Sequence, residues 1–194
     1  MKFEYPVGAT PLDPDEAAGL IPSISTQGEL NELEKANIKI GIEWAEKSRL
    51  LKRDLLTYSG LLRLHKELFG NVWSWTGSQR ISEKGIGVAP HRVGQDVAQL
   101  CGDTQYWIKN KTYEWNEIAV RFHHRLVFIH PFNNGNGRLA RIAADLLLTY
   151  NSCPSFTWGA GDLITESDVR KNYIDALKQA DRGDYAPLLR FVRT

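Results

Sequence analysis

The stretch His130-Pro131-Phe132-Asn133-Asn134-Gly135-Asn136-Gly137-Arg138-Leu139-Ala140-Arg141 separates two segments of clear helical periodicity. Before it, Ile118, Phe122, Leu126 and Ile129 share one face of a helix predicted from Trp115 to Ile129. After it, Leu139, Ile142, Ala143, Leu146 and Leu147 form the inward face of a helix running to Tyr150. Two apolar helices joined by a short polar loop make this a helical protein, and the rest of the chain follows the same pattern.

Working outward, Leu30, Leu33, Asn37, Ile38, Gly41 and Trp44 are spaced as one face of a helix to about Lys47. Ser25 or Thr26 can cap its start, with Glu29 favouring the dipole. A helix from Thr57 to Phe69 buries Leu61, Leu62, His65 and Leu68 and ends at Gly70. Helical spacing returns over Val93 to Asn110, Glu166 to Ala180 and Tyr185 to Val192. Between Arg80 and Pro90, the glycines at 85 and 87 within Ile81-Ser82-Glu83-Lys84-Gly85-Ile86-Gly87-Val88 predict one short β-hairpin. Pro6, Pro11, Pro14 and Pro22 make residues 5–23 an irregular arm with a short turn near Asp15 to Leu20. The fold class is therefore all-α, a helical bundle with one hairpin. An arm and helix over 1–50 pack on a main domain over 51–194.

Composition narrows the function classes. A net charge of +1 supplies no global field toward nucleic acid or membranes, so any anion site must be local. No apolar run reaches membrane-span length, and the first residues lack a signal-peptide pattern, so the expectation is a cytoplasmic protein. Cys101 and Cys153 form no metal-binding pair and read as reduced thiols.

The loop carries the chemistry. Gly135 and Gly137 allow backbone N–H groups to converge, and the next helix adds the positive end of its dipole. Arg138 and Arg141 lie three apart on one face, and each can fork onto phosphate oxygens. His130 is the one group here whose ordinary pKa suits a base near neutral pH. Singly, each feature has an ordinary structural explanation: a histidine at a helix end, a flexible loop, a solvated basic face. Their density within twelve residues points to phosphate binding.

The stretch resembles the signature of the Fic (filamentation induced by cAMP) family, His-Pro-Phe-x-Asp/Glu-Gly-Asn-Gly-Arg-x-x-Arg. It matches at His130, Pro131, Phe132, Gly135, Asn136, Gly137, Arg138 and Arg141. Trp75-Thr76-Gly77 with Arg80 is similar to the lead into that family's flap, and Tyr5 to Pro14 resembles the subgroup called mobile mystery protein B. The resemblance implies a protein adenylyltransferase that moves AMP from ATP to a Ser, Thr or Tyr hydroxyl of a target protein. It implies His130 as the base, and Gly135, Asn136, Gly137 and Arg138 as the anion hole. Arg141 would hold the γ-phosphate. Ile81, Ser82, Ile86, Gly87 and Val88 would form the flap along which the target docks by strand-like pairing.

Two departures qualify that expectation. Asn134 stands where the family has the carboxylate that helps hold Mg²⁺, and one neutral oxygen is a weak Mg²⁺ ligand. The alternatives are altered chemistry, such as phosphotransfer or another nucleotidyl transfer, or a nucleotide binder with little turnover. Retention of Gly137 and Arg138 speaks against the related subgroup that transfers phosphate. Secondly, Ser25-Thr26-Gln27-Gly28-Glu29 resembles most of the family's inhibitory helix pattern, Ser/Thr-x-x-x-Glu-Gly/Asn, with Leu30 at its last position. The resemblance implies that Ser25 and Glu29 form an inhibitory element, its carboxylate pairing with Arg141, with Glu32 and Glu34 as the other candidates. His65, His91, His123 and His124 read as structural. Direct nucleic-acid contact is not expected without a basic stripe, and nothing in the sequence specifies an oligomer.

Overall fold

The computed structural model describes residues 11–161, 163 and 167–194. The arm residues before Pro11, which carry most of the subgroup resemblance, and Glu166 lie outside the described residues.

The arm holds a single turn, α1 (Pro14–Ala17), capped by Asp13. It then pairs with the segment after Phe69 through an antiparallel bridge between Leu20 and Trp73. Gly19 lies against the Trp75 ring, where a Cβ would come within 2.4 Å of Cδ1. The first long helix is α2 (Gln27–Lys47), and Thr26 caps it by accepting from the Glu29 N–H at 3.2 Å. Glu29 returns its carboxylate to the Ser25 and Thr26 amides at 2.7 and 3.1 Å, completing a capping box.

The buried stripe of α2 is Leu30, Glu34, Asn37, Gly41 and Ala45. Leu33, expected on that face, is 39% exposed instead. The 4-3-4-4 spacing of the buried set is as helical as the apolar one, and it places a carboxylate inward. At Gly41 a Cβ would approach Glu67 O to 2.7 Å, so α2 crosses α4 there at backbone contact.

After the short α3 (Arg49–Asp54), α4 (Tyr58–Phe69), α5 (Val93–Asn110), α6 (Trp115–Ile129) and α7 (Asn136–Tyr150) build the core. Phe122, Leu126, Ile129 and Leu139 are fully buried among them. Truncating one such leucine removes about 2–5 kcal/mol. A second cluster lies on the other side of α6 and α7, where Val120, Ala144 and Leu148 meet α8 (Asp168–Ala180) and α9 (Ala186–Phe191).

The expected hairpin over 80–88 contains no strand ladder. Its backbone partners lie in the loop after α6: Arg80 N–H donates to Pro131 O at 2.9 Å, and Val88 N–H to Ile129 O at 3.3 Å. The segment is a turn seated on that loop. Its glycines signalled the reversal, but its hydrogen-bond partner lies about fifty residues away in sequence. No described helix is long and apolar enough to cross a membrane. Cys101 and Cys153 are free thiols.

Candidate phosphate-binding site

His130 ends α6 in the left-handed conformation, φ 55° and ψ 62°, while its N–H still bonds Leu126 O at 3.2 Å. This conformation costs a non-glycine residue about 1–2 kcal/mol, so the surroundings must hold it. Arg80 supplies part of that hold, with its Nε donating to His130 O at 2.6 Å.

The loop is braced from within and from below. Asn136 Oδ1 accepts from Phe132 N–H at 2.9 Å, and its Nδ2 donates to Phe132 O at 2.7 Å. The Asn136 side chain thus closes the loop, and only its backbone amide is offered outward. Phe132 stacks on His65 with ring centroids 3.8 Å apart and planes 2° from parallel. Gly77 N–H donates to His65 Nδ1 at 3.1 Å, leaving Nε2–H to donate to Asn134 O at 3.2 Å. His65 is therefore a neutral brace; burial pushes its pKa down to about 3. Gly135 has φ 79°, and a Cβ there would stand 2.8 Å from the Phe69 ring. Only glycine turns the chain into α7 at that position. The first-turn amides of Asn136, Gly137 and Arg138 have no acceptor within their helix, which leaves three donors at its positive end.

Electrostatically, the helix start gathers two cations, one of them paired with a carboxylate from α2. Arg138 donates to Glu34 at 2.6 and 3.3 Å and to Asn134 Oδ1 at 3.0 Å, with its guanidinium 4.9 Å above the Phe69 ring. Trp73 Nε1 donates to the same Glu34 carboxylate at 2.8 Å. Arg141 lies 5.6 Å from the Tyr173 ring centre, and the Tyr173 hydroxyl meets His123 Nε2 at 2.9 Å. A cavity of about 280 Å³ runs between α2 and α7, lined among others by Asn31, Glu34, Lys35, Arg138, Arg141 and Trp158.

His130 is 7% exposed. Burial lowers its pKa to about 4; the charges of Arg80 and then Lys84 push the same way, against a hydrogen bond with the Val127 backbone. At neutral pH the ring is uncharged, the form that accepts a proton.

The structure brings His130, Gly135, Asn136, Gly137, Arg138 and Arg141 together around one helix start. It locates Ser25 and Glu29 elsewhere, at the exposed first turn of α2. The acidic residue at the loop is Glu34, and its partner is Arg138 rather than Arg141. Its signal was its position on the buried stripe of α2, since an inward carboxylate requires a cation. His124 bonds Asp181 at 2.9 Å and Tyr185 at 3.3 Å, so it serves packing between α6 and the C-terminal helices, as does His123.

A Mg²⁺ ion fits these residues poorly. The one oxygen that Asn134 could offer already accepts from Gly135 N–H at 2.5 Å and from the Arg138 cation. Among the described residues no group of three His, Cys, Asp or Glu side chains could hold a metal.

Fold and loop together define a class: a helical domain in which a helix start bearing two arginines lies next to a buried, neutral histidine. Residues 55–148 match the Fic/DOC family, and the chain carries a Fic/DOC domain there. The chain is 30% identical over 146 residues to the protein adenylyltransferase Fic of Culex quinquefasciatus, and 29% over 145 residues to that of Aedes aegypti. Each match takes in 73% of this chain and 28% of the relative, so the chain spans little more than a quarter of their length. Fic-1 (residues 134–508) of C. elegans superposes with a TM-score of 0.63 at 26% identity, over 91% of this chain and 51% of that one. BepC of Bartonella tribocorum, solved with bound AMPPNP, shares the fold with a TM-score of 0.66 at 17% identity, over 93% and 96% of the two chains.

Proposed function

We propose that this protein transfers AMP from ATP to a hydroxyl group of a target protein. The target oxygen attacks the α-phosphorus, the bond from that phosphorus to the bridging oxygen breaks, and pyrophosphate leaves. His130 takes the hydroxyl proton. The amides of residues 136–138 and the Arg138 fork hold the α- and β-phosphates, and Arg141 aligns the γ-phosphate. The observation that carries this reading is the buried, neutral His130 held beside a helix start bearing Arg138 and Arg141. The names of the Fic relatives support the reaction class. No step is assigned to a metal.

In this reading residues 51–194 are the catalytic domain, and residues 1–50 supply its restraint. Glu34 occupies the Arg138 fork that the phosphates need, so the form with Glu34 in place is a closed one. Target segments dock along 80–88, where Ile81 is 90% and Ile86 47% exposed. The protein works in the cytoplasm, where ATP is abundant. A nucleotide-binding protein with little turnover is the second reading, favoured by the engagement of Asn134 with Arg138. Label from α-³²P-ATP, lost in His130→Ala, supports transfer of AMP. Label from γ-³²P-ATP alone points to phosphotransfer, and ATP binding with no label to the second reading.

A further inference from the structure

Three consecutive carbonyls at the end of α6 accept hydrogen bonds from one short segment. Ile129 O accepts from Val88 N–H at 3.3 Å, His130 O from Arg80 Nε at 2.6 Å, and Pro131 O from Arg80 N–H at 2.9 Å. The same Arg80 guanidinium donates to Ser82 O at 3.0 Å and to Val88 O. Arg80 is 1% exposed, and these bonds run to carbonyl oxygens rather than to a carboxylate. Burying a guanidinium this way is costly, and a neutral donor could tie any one of these carbonyls. What a neutral donor lacks is the rigid fork that reaches three carbonyls on two segments at once. Gly87 closes the contact: with φ 93°, a Cβ there would lie 2.6 Å from His130 Cβ.

We propose that Arg80 is a positioning residue for the transfer reaction, locking the backbone of His130 and the 80–88 docking segment into one rigid unit. This rests on the function proposed above, since it gives the segment its role beside the base. A target hydroxyl bound along 80–88 is thereby presented to the His130 ring at a fixed distance. The anion loop, braced separately by His65, Phe132 and Asn136, holds ATP without Arg80. Arg80 and Lys84, both on the segment, are the charged groups whose fields lower the His130 pKa.

The test compares wild type, Arg80→Lys and Arg80→Gln. ATP affinity by calorimetry stays within about twofold, while self-labelling from α-³²P-ATP falls between about 10- and 100-fold in both variants. Arg80→Lys does not rescue, because it keeps the charge and loses the fork. The His130 ring resonances shift in both variants, and in Arg80→Gln the ring titrates at higher pH. A wild-type rate in Arg80→Lys overturns the proposal, as does an equal loss of rate and ATP affinity, which marks general damage. If neither the wild type nor Glu34→Gly labels, the function reading fails, and NMR decides the Arg80 role alone. Faster exchange of the Val88 amide with a shifted His130 ring in Arg80→Lys then supports the lock. Unchanged His130 resonances and Val88 protection overturn it.

Discussion

Glu34 and Arg138 meet across the anion loop at 2.6 Å, joining the middle of α2 to the first turn of α7. The pair is partly buried, and Trp73 Nε1 fixes the carboxylate from a third direction. In the function proposed above, phosphate and Glu34 compete for one guanidinium. In Glu34→Gly, ATP binding by calorimetry is expected to tighten about 10-fold or more, the worth of a charge-assisted hydrogen bond. The same change lowers the melting temperature, because the Glu34 carboxylate that joins Trp73 Nε1 to Arg138 is gone. Glu29→Gly weakens the α2 cap and leaves ATP affinity unchanged. If Glu29→Gly tightens ATP and Glu34→Gly does not, the restraint has been assigned to the wrong carboxylate.

Lys84 is nearly buried, 3% exposed in its side chain, between Asp13 and Glu16 of the arm at 3.0 and 2.5 Å. Ser82 also donates to Glu16 at 2.9 Å, so the arm is fastened to the 80–88 segment. Glu16→Ala leaves that ammonium with only the half-exposed Asp13, and denaturant unfolding should show a loss of about 3 kcal/mol. Lys84→Met in the same background should restore much of it. A loss below about 0.5 kcal/mol would mean the contact behaves as an ordinary surface pair.

Much of this was legible in the linear chain, and what was not has a common cause. The helices flanking the loop repeat apolar residues at helical spacing, and the loop concentrates histidine, glycine and arginine in a pattern few folds need for structure alone. By contrast, Arg80, His65 and Glu34 matter because of residues 50, 69 and 104 positions away. Local periodicity carries no information about such partners. The 80–88 turn is the clearest case: its glycines predicted a reversal, but whether its backbone pairs with itself or with 129–131 is a tertiary outcome.

His65, His123 and His130 are held neutral, with pKa values lowered to about 3, 3 and 4 chiefly by burial. The unfolded chain binds these protons near pH 6.5, so below that pH it takes up more protons than the folded state. Stability is thus fully present above about pH 7 and falls as pH drops toward the folded values, by up to roughly 1.4 kcal/mol per pH unit for each histidine. Denaturant midpoints measured from pH 8 to pH 4 should be level at first and then decline steeply. A flat profile down to pH 5 would mean that these rings protonate freely in the fold.

Asn134 faces Gly135 and Arg138 and offers a metal no carboxylate. ATP affinity should therefore change little when EDTA replaces Mg²⁺. In Asn134→Asp the new carboxylate should make ATP binding several-fold more dependent on Mg²⁺. Equal Mg²⁺ dependence in both proteins would show that the metal is held by other groups.

Transfer of AMP onto a hydroxyl is the reaction proposed for this site. Intact mass after incubation with ATP and Mg²⁺ reads it directly in wild type, Glu34→Gly and the double variant Glu34→Gly with His130→Ala. A gain of one AMP unit is expected, greatest in Glu34→Gly and absent from the double variant. No mass gain in Glu34→Gly, despite tight ATP binding, would contradict it, as would the gain of a single phosphate.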